Sequence, residues 1–408
     1  MRRVLLLNNV PTPYFDPLFE RVGRESGWEL TVCYSSSWNQ AVGWEENSRA
    51  ESKAHRTIIL DRRRPGLRAR FGSWVAAAAA LIEILLRERP DYLICYGYTL
   101  LPQMSALLWA IATRTPFAII GDANYYTDVS AGLKRALKRL WLRGITRRAA
   151  ALIAVGAAGR LFWESYGARA GQLFESPFAV DNEFFTRDRE GRIRAAQSLR
   201  EQWRLAEKTV FLYVGRLVRR KNVHLVIRAI RELPDENLAL VIAGAGEERA
   251  ALESLAEGDP RIVFAGIIAP QDLPALYTAA DALVLVADQE PWGLVVNEAM
   301  ASGLAILAHR HCGAAVDLVD ETNGARIHQF DVEEIKAAIR SMASDRKRLR
   351  AMQDCSGQKI KKRTLERAAC GIIRAVEESA PPPVPKPCLN GRLSSRPGPR
   401  HGIERIEK

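Results

Sequence analysis

The sequence lacks any run of about 18 uncharged apolar residues, the length that a membrane-spanning helix needs. Its longest candidate, Trp74–Leu86, is too short and contains Glu83. The six cysteines are scattered without a Cys-x-x-Cys pair, which predicts reduced thiols in a cytosolic protein and argues against a zinc site. The first residues, up to Asn9, contain a brief apolar run without a signal-peptide cleavage pattern, so we expect a first β-strand there.

Length and charge set the outer bounds on the protein class. A chain of 408 residues, 48% of them apolar and 26% charged, has the composition of a globular protein, and its length predicts two domains. The net charge of +12 is uneven, because residues 1–180 carry 24 Lys and Arg against 15 Asp and Glu, whereas residues 181–380 carry 29 against 30. The first half is therefore expected to meet an anionic surface such as lipid head groups, nucleic acid or phosphorylated glycans.

Both halves alternate short apolar runs, which predict strands, with segments of helical periodicity. The first half predicts strands at residues 4–8, 29–34, 57–60, 92–96, 117–121 and 151–155. The second half predicts strands at residues 209–214, 238–243, 262–264, 282–286 and 305–308. This alternation predicts an α/β architecture of two Rossmann-like, doubly wound domains that face each other across a cleft. Residues 171–187 are expected to form an irregular crossover, and residues 356–379 a single closing helix.

The segment from Glu290 to Gly303 is where we expect the chemistry. It follows the apolar run 282–287 and becomes an amphipathic helix from Gly293, which brings Glu290 and the first helical N–H groups to the carboxyl end of a strand. Ligands bind at that edge of open α/β sheets, and a helix N-terminus favours an anionic group. Glu298, in the early turns of the helix, can face the same crevice. Two carboxylates so placed can bind vicinal sugar hydroxyls; the alternative is two solvated surface glutamates.

Two further loops follow predicted strands of the same sheet. Gly215–Asn222 contains Arg216, which offers a planar fork for phosphate oxygens, and Lys221, which offers a point charge. Gly244-Ala-Gly246 opens the next helix, although such a glycine pair by itself is often only a tight turn. Together the three loops suit a diphosphate flanked by hydroxyl-binding glutamates, which is the chemistry of a nucleotide diphosphate sugar.

This set of residues resembles the family 4 glycosyltransferases, which have the GT-B fold. The resemblance lies in the E-x7-E spacing of Glu290 and Glu298, the loop Val214–Lys221, the segment Leu276–Asp281 and the interdomain segment Phe178–Phe185. It is densest over residues 178–330 and looser over the first half. The resemblance implies a retaining hexosyltransferase that needs neither a metal nor a cofactor, and the absence of any Asp-x-Asp sequence agrees with that.

The resemblance also implies roles for individual residues. It assigns Arg216 and Lys221 to the donor diphosphate, Glu290 to the donor sugar hydroxyls, Glu298 to the ribose, and the backbone of Gly293 and Leu294 to sugar or phosphate. The other residues expected in donor-site loops are Gly215, Gly244, Ile267 and Ile268, the last two near the base.

The first half departs from the family pattern. Relatives often have a glycine pair in the first loop, where this chain has a proline-rich segment, and several have a histidine near the donor sugar. The only histidine of the first half, His55, falls between predicted strands and is expected to be solvated. We expect Asp122, which follows a predicted strand, to take part of that catalytic role beside Glu290; a helix cap or an Asx-turn would explain it equally well. The residues expected on the acceptor side are Asn9, Thr12 and Asn124.

Residues 132–148 predict a strongly basic helix. Its apolar positions recur at helical spacing: Leu133, Leu137, Leu140, Trp141 and Ile145. Its basic positions are Lys134, Arg135, Lys138, Arg139, Arg143, Arg147 and Arg148, and Arg62–Arg64, Arg68 and Arg70 add to them. This pattern favours a surface for anionic lipid. The alternative is an ordinary amphipathic helix with solvated charges, and we expect its apolar stripe to pack on its own sheet.

The sequence thus predicts a retaining, metal-independent glycosyltransferase that moves a sugar from a nucleotide diphosphate sugar to a glycan or lipid-linked acceptor, in glycoconjugate or polysaccharide biosynthesis. Residues 1–177 are expected to form the acceptor-binding domain and residues 178–355 the donor-binding domain. Residues 356–380 would form a helix that returns to the first domain, and residues 381–408 would form a disordered tail. We expect a cytoplasmic protein, peripheral at the inner face of the membrane, with no nucleic acid partner.

Two alternative functions remain open at this point. One is a basic lipid- or nucleic-acid-binding protein with a degenerate cleft, although intact Glu290, Glu298, Arg216 and Lys221 speak against it. The other is a sugar-nucleotide epimerase or a phosphorylase on the same fold. A dedicated catalytic base or a cofactor lysine would mark that class, and no motif for either is evident.

Overall fold

The computed structural model describes residues 1–36, 52–60, 70–128 and 131–382, which form two parallel β-sheets packed with helices. The strands of the first sheet are β1 (Arg3–Asn8), β2 (Glu29–Tyr34), β3 (Arg56–Ile59), β4 (Tyr92–Tyr96), β5 (Phe117–Gly121), β6 (Ala151–Ala154) and β7 (Leu173–Glu175). The helices of this part are α1 (Phe15–Ser26), α2 (Arg70–Glu88), α3 (Leu101–Thr113), α4 (Gly132–Arg148) and α5 (Ala157–Ser165). Arg62–Arg64, Arg68 and residues 383–408 of the expected tail lie outside the described residues.

The second sheet begins after two helices, α6 (Asn182–Thr186) and α7 (Arg189–Gln202). Its strands are β8 (Thr209–Val214), β9 (Leu238–Ala243), β10 (Ile262–Gly266), β11 (Ala282–Leu285), β12 (Ala305–His309) and β13 (Gly324–Ile327). Its helices are α8 (Val223–Glu232), α9 (Arg249–Ala256), α10 (Leu273–Thr278), α11 (Leu294–Ala301), α12 (Gly313–Leu318), α13 (Val332–Ala343) and α14 (Arg346–Ile360), and α15 (Leu365–Ser379) follows them.

The strand order reverses once in each sheet. The first sheet runs β3-β2-β1-β4-β5-β6-β7 and the second β10-β9-β8-β11-β12-β13, with parallel neighbours throughout. The chain therefore changes direction between β1 and β4 in the first sheet, and between β8 and β11 in the second. Crevices at such switch points, at the carboxyl ends of the strands, are where open α/β sheets bind ligands.

The strands are apolar along their whole length because both faces of each sheet are covered. In β1, Val4 and Leu6 point into one hydrophobic cluster while Leu5 and Leu7 point into another on the opposite face. All four side chains are at most 1% exposed. Truncating Leu6 to alanine would therefore cost about 2–5 kcal/mol of stability, the usual range for a buried leucine.

The last helix packs back on the first domain. Trp28 Nε1 donates to Glu377 of α15 at 2.6 Å, and the hydroxyls of Tyr92 and Ser379 are 2.7 Å apart. The Ser176 hydroxyl donates to the Ala368 carbonyl at 2.9 Å. Helix α15 thus ties the end of the described chain to α1, β6 and β7.

Some elements differ from the sequence-based expectation. The segment 171–187 is not irregular throughout, because it contains the short edge strand β7 and the helix α6, which Asp181 caps by accepting from Phe184 N at 3.1 Å. The expected single helix 356–379 is two helices, because Thr364 caps the start of α15 and the Asn182 amide donates to the carbonyls of Ile360, the last residue of α14, and of Arg363 in the turn that follows. His55 is 9% exposed rather than solvated, and burial lowers its pKa.

Two chemical expectations concern the described part of the chain. Within it, no helix is both long and apolar enough to cross a bilayer. The cysteines in the described ranges are free thiols, and three of them are fully buried: Cys33, Cys95 and Cys312. Burial raises the pKa of Cys312 to about 12, and its thiol donates to the Trp292 carbonyl at 2.9 Å, so it acts as a packing residue.

Candidate active site

The carboxyl ends of the two sheets face each other across a cleft. Tyr14, in the loop after β1, donates its hydroxyl to Glu298 of α11 at 2.8 Å. Asn124, in the loop after β5, donates its side-chain amide to the carbonyl oxygens of Pro291 (3.1 Å) and His311 (3.0 Å). Strand-end loops of both domains therefore meet in one place, where a ligand between the domains would be enclosed.

On the second domain, the loop after β8 is tied to the loop after β11. The Arg220 guanidinium donates to the Gln289 carbonyl at 2.6 Å, and Asp288 N donates to the Arg220 carbonyl at 2.8 Å. Gly244, after β9, lies so close to Gly215 that a Cβ there would clash with the Gly215 carbonyl oxygen. The three loops expected to converge therefore do so, and the glycines permit the close approach.

The loop after β11 leads into α11 through a glycine. Gly293 has φ of 91°, a conformation that side-chain-bearing residues rarely adopt, and a Cβ there would lie 3.0–3.1 Å from Leu285, Cys312 and Glu290. This turn presents the first N–H groups of α11, from Leu294 onward, to the cleft. Such free N–H groups and the positive end of the helix dipole favour an anion.

Lys221 and Glu290 form an ion pair across the two joined loops. Their side chains are 12% and 13% exposed, so neither is a freely solvated charge. Arg216 lies at the start of the same loop with an exposed side chain, and its carbonyl accepts from the Tyr213 hydroxyl at 2.8 Å. The site therefore offers the Lys221–Glu290 ion pair next to Gly293 at the N-terminus of α11, and a second cation, Arg216, in the loop that contains Lys221.

Glu298 is buried, with 1% of its surface exposed. One carboxylate oxygen accepts from the Tyr277 hydroxyl at 2.5 Å and the other from Tyr14 at 2.8 Å. Burial raises the pKa of Glu298, and burial together with the charge of Glu298 raises the pKa of both tyrosines, which therefore remain protonated donors. The alternative of two solvated surface glutamates is wrong for both Glu290 and Glu298.

Asp122 borders a cavity of about 270 Å³ on the first domain. The cavity is also lined by Asn9, Tyr98, Asn124, Asp128, Lys138 and Pro291. The carboxylate of Asp122 is open to the cavity yet crowded by protein, so burial raises its pKa, and the charge of Glu290 across the cleft raises it further. An acidic group with a raised pKa at the meeting point of both domains is a candidate for work on a reacting hydroxyl.

The three residues expected on the acceptor side lie in different settings. Asn9 lines the cavity and accepts from the Gln103 amide. Asn124 also lines it, but its amide bridges to the second domain, and its oxygen accepts from Tyr126 N at 2.8 Å. Asn124 thus fills the cap role that was the alternative explanation for Asp122. The Thr12 hydroxyl accepts from Phe15 N at 3.2 Å at the start of α1, which is a helix-capping contact.

Several site residues were missed by the sequence analysis. Tyr277 lies inside the segment Leu276–Asp281 that carried part of the resemblance, so a signal for it was present. Tyr14 had no signal beyond its position in the proline-rich loop. Tyr126 stacks on His311 across the cleft, with ring centres 5.0 Å apart, and neither residue belongs to a sequence motif.

The basic helix α4 differs from the expectation in two ways. Its first turns leave Leu133, Leu137 and Leu140 exposed at 77%, 59% and 74%, so the expected packing of the apolar stripe on the sheet is wrong for these three. Leu142 and Ile145, further along, are buried. The reason is that residues 131–137 are exposed on all sides, so the first turns extend beyond the sheet, and the buried stripe starts only at Lys138 and Trp141.

Lys138 is not a solvated charge on this helix. Its ammonium group lies 2.5 Å from Asp128, whose other oxygen accepts from the Tyr166 hydroxyl at 2.6 Å, and both Lys138 and Asp128 line the cavity. Arg135, Arg139 and Arg143 remain exposed beside the leucines. Helix α4 therefore has one face in the cavity and another that combines leucines with arginines at the surface.

The sequence is similar to known glycosyltransferases. Residues 196–359 match the family described as "Glycosyl transferases group 1". The chain is 29% identical over 321 residues to the sulfoquinovosyl transferase SQD2 of Arabidopsis thaliana. This match covers 75% of this chain and 60% of that protein. It is 31% identical over 205 residues to the GDP-mannose-dependent alpha-(1-6)-phosphatidylinositol monomannoside mannosyltransferase of Mycolicibacterium smegmatis, spanning 47% of this chain and 52% of that protein. The matches thus span half to 60% of these relatives' lengths.

Solved structures share the whole architecture at low sequence identity. HepE of Anabaena, solved with UDP and glucose, superimposes with a TM-score of 0.70 at 16% identity, over 92% of this chain and 100% of its own. The sucrose-phosphate synthase of Thermosynechococcus elongatus superimposes with a TM-score of 0.73 at 18% identity, over 92% and 99%. These likenesses confirm the expected GT-B fold. Residues 196–359, which contain the loops after β8, β9 and β11, are therefore similar to the group 1 glycosyltransferases, and the whole described chain shares their GT-B fold.

Proposed function

We propose that this protein transfers a sugar from a nucleotide diphosphate sugar, held by the second domain, to a glycan or lipid-linked acceptor held by the first. The observation that carries the proposal is the Lys221–Glu290 pair at the N-terminus of α11, facing Asp122 across the cleft. This arrangement brings together a cation that can bind a diphosphate (Lys221), a carboxylate that can bind sugar hydroxyls (Glu290) and a second carboxylate from the other domain (Asp122). The relatives named above are glycosyltransferases, and HepE was solved with UDP and glucose.

On the donor side, Arg216 and Lys221 would bind the diphosphate together with the N–H groups at the start of α11. Charge-assisted bonds of this kind are the strong ones in proteins. Glu290 would accept from hydroxyls of the donor sugar and Glu298 from the ribose. The loops that flank this place contain Gly215, Gly244, Ile267 and Ile268, and the two isoleucines would lie near the base.

On the acceptor side, the cavity beside Asp122 would hold the attacking hydroxyl, with Asn9 and Asn124 in its wall. As the bond between the anomeric carbon and the diphosphate breaks, the acceptor oxygen bonds to that carbon, and its proton passes to the departing phosphate or to Asp122. Contacts between Asn124 and the second domain keep the cleft closed, which excludes water from the reaction. We infer retention of configuration from the resemblance to retaining transferases.

We also propose that the reaction needs no metal or other cofactor. Arg216, Lys221 and the α11 N-terminus would supply the positive charge that a leaving diphosphate requires. Transfer in the presence of excess EDTA should match transfer with added Mg²⁺ or Mn²⁺. A loss of rate that either metal restores would disprove this part of the proposal.

A second part of the proposal is a peripheral contact with anionic lipid at the cytoplasmic face of a membrane. Its support is the exposed stripe of Leu133, Leu137 and Leu140 beside exposed Arg135 and Arg139 on α4. Apolar side chains flanked by arginines suit the boundary between anionic head groups and acyl chains. Because Lys138 of the same helix lines the acceptor cavity, a lipid-linked acceptor could reach Asp122 from that surface.

The decisive first experiment is to measure the melting temperature with UDP, GDP and ADP. A ligand that binds only the native state raises the melting temperature, so one nucleotide should do so clearly and the others weakly. Calorimetry on Glu290→Gln and Glu298→Gln then separates their roles. The first change should leave nucleotide affinity nearly intact, and the second should weaken it. The reverse pattern would mean that the sugar and ribose positions are exchanged.

The alternatives make different predictions in the same experiment. A degenerate cleft would bind none of the three nucleotides, while vesicle or nucleic acid binding would persist. An epimerase would convert a nucleotide sugar without any acceptor. The pairing of Lys221 with Glu290 at the helix N-terminus favours an intact donor site over a degenerate one.

A further inference from the structure

Glu298 is held by one tyrosine from each domain. Tyr277 belongs to the second domain, is fully buried, and donates to one carboxylate oxygen. Tyr14 belongs to the first domain, is only partly buried, and donates to the other oxygen. The 1% exposure of Glu298 leaves no face of the carboxylate open to a ligand in this arrangement.

The two tyrosines are not equally replaceable. Tyr277 lies on the protein side of Glu298, packed against Phe185 with ring centres 5.8 Å apart. Tyr14 reaches Glu298 across the cleft from the loop before α1, where its neighbour Phe15 packs on Tyr96 at 4.6 Å. A ligand hydroxyl can therefore reach Glu298 only at the place that the Tyr14 hydroxyl occupies.

We propose that the Tyr14 hydroxyl occupies the position of a donor ribose hydroxyl on Glu298, so that the nucleotide binds only after Tyr14 has been displaced. This inference rests on the proposed role of Glu298 in ribose binding. Tyr14 and a ribose hydroxyl present the same chemistry, an O–H group that donates to a buried carboxylate. Because Tyr14 moves with the first domain, its departure from Glu298 couples nucleotide entry to opening of the cleft.

The coupling has a measurable consequence. A ligand that binds only the state in which Tyr14 has left shows an affinity reduced by the population of that state. Removing the Tyr14 hydroxyl raises this population, because Phe cannot donate to the carboxylate. Tyr14→Phe should therefore bind the preferred nucleotide among UDP, GDP and ADP about tenfold more tightly, with most of the gain in the association rate.

The test compares five proteins by calorimetry and stopped-flow binding: wild type, Tyr14→Phe, Tyr34→Phe, Glu298→Gln and the double variant Tyr14→Phe/Glu298→Gln. Wild type and Tyr14→Phe give the effect, and Tyr34→Phe is the matched control, because its hydroxyl donates to Asp16 of α1 at 2.7 Å without touching Glu298. Tyr34→Phe should bind the nucleotide like wild type. In a Glu298→Gln background the gain from Tyr14→Phe should shrink to less than twofold, since a double-mutant cycle isolates the pairwise contact. Melting curves of each protein verify folding.

The outcomes separate this inference from the proposed function. If Glu298→Gln leaves nucleotide affinity unchanged, Glu298 does not bind the ribose. The proposed competition between Tyr14 and the ribose is then overturned as well. If Glu298→Gln weakens binding but Tyr14→Phe binds equally or more weakly than wild type, the donor site stands and only the Tyr14 inference is overturned. If no nucleotide binds either wild type or Tyr14→Phe, both are overturned.

Discussion

The two domains carry their chemistry in different ways. The second domain presents loops after β8, β9 and β11, each with a glycine and charged residues within a few positions. The first domain presents a cavity whose walls come from the ends of β1, β4 and β5, from α3, α4 and α5, and, across the cleft, from Pro291 of the second domain. A site for a common nucleotide can be encoded locally, whereas a site for a particular acceptor is shaped by many distant positions. The match to the group 1 family covers only residues 196–359 of the second domain.

The domains also differ in charge. Residues 1–180 carry nine more basic than acidic residues, whereas residues 181–380 carry one basic residue fewer than they carry acidic residues. On α4 of the first domain, exposed arginines lie beside exposed leucines. The difference suggests that one domain faces a surface and the other a soluble nucleotide, and the following predictions test this contrast from the largest expected effect to the smallest.

The largest effect is expected at the acceptor cavity. Asp122→Asn should lower the transfer of labelled sugar into a membrane lipid extract by about 100-fold or more, the usual contribution of a positioned acid or base. Nucleotide affinity should change less than about twofold, because Asp122 lies on the other domain. The wild-type rate should fall as pH falls through the pKa of Asp122. Since burial and Glu290 raise that pKa, the fall should begin at a higher pH than for an ordinary aspartate.

Equal loss of nucleotide affinity and of turnover in Asp122→Asn would contradict the proposal that the second domain binds the nucleotide while Asp122 of the first domain acts on the acceptor. The acid limb of the rate profile provides an independent check. It should disappear in the variant, because the amide does not titrate in this range.

The second effect concerns the surface of α4. Replacing Arg135, Arg139 and Arg143 by glutamine should weaken binding to vesicles with anionic lipid by about 100-fold at low salt, since each basic residue near such a surface contributes about 1 kcal/mol. Binding should fade with added salt and be absent for neutral vesicles. Co-sedimentation with both kinds of vesicle measures it, and nucleotide affinity should remain unchanged.

A matched control lies on the second domain. Lys347, Arg348 and Arg350 of α14 are also exposed, and replacing all three by glutamine removes the same charge. This control should pellet like wild type. Equal losses from both variants would mean that net charge alone drives binding, and the same pelleting with neutral lipid would remove the basis for a lipid surface. Leu137→Ser should weaken anionic vesicle binding without a change in charge.

The third effect tests the donor loops. Lys221→Ala should slow transfer and weaken nucleotide binding by about 10- to 100-fold, because it removes a charge-assisted bond of roughly 1.5–3 kcal/mol and leaves Glu290 without its ion-pair partner. Arg216→Ala, whose side chain is exposed, should lose about tenfold. Lys336→Ala is the control, because its ion pairs with Glu232 and Glu333 lie elsewhere in the same domain. Transfer rates within twofold of wild type for both donor-loop variants would refute the diphosphate assignment.

The smallest effect is on stability. Because the pKa of Glu298 is raised in the folded state, the folded protein binds this proton more tightly than the unfolded chain. Its contribution is favourable below the unfolded pKa of about 4.3 and is lost as pH rises through the folded value. As pH rises across that window, wild type should therefore lose stability relative to Glu298→Gln. The melting temperature of wild type should fall by a few degrees at most, since a change of about 1 kcal/mol in the free energy of unfolding shifts the melting temperature by roughly 2–4 °C. Parallel melting profiles from pH 4 to 7 would contradict this.

The sequence by itself determined the elements that depend on local pattern. The short apolar run Val4–Leu7 is too short for a helix and predicts a strand buried on both faces, and the alternation of such runs with helices predicts the parallel sheets. Gly293 and Glu290 follow such a run directly, so their place at the end of a strand was also predictable. Edge strands β7 and β13 were missed because their sequences, Leu-Phe-Glu and Gly-Ala-Arg-Ile, contain charged residues and no continuous apolar run.

Only the tertiary structure decided what covers each side chain and which distant groups meet. Helical spacing showed that α4 has an apolar stripe, but no local pattern states whether another element packs on Leu133 and Leu140, and in the described part of the chain both remain mostly exposed. The partners Tyr14 and Glu298 are 284 positions apart and belong to different domains, so their contact depends on how the two sheets face each other. Hydrogen bonds act over about 3 Å whatever the separation along the chain, which is why the sequence predicted the carboxylate and the fold alone supplied its tyrosine.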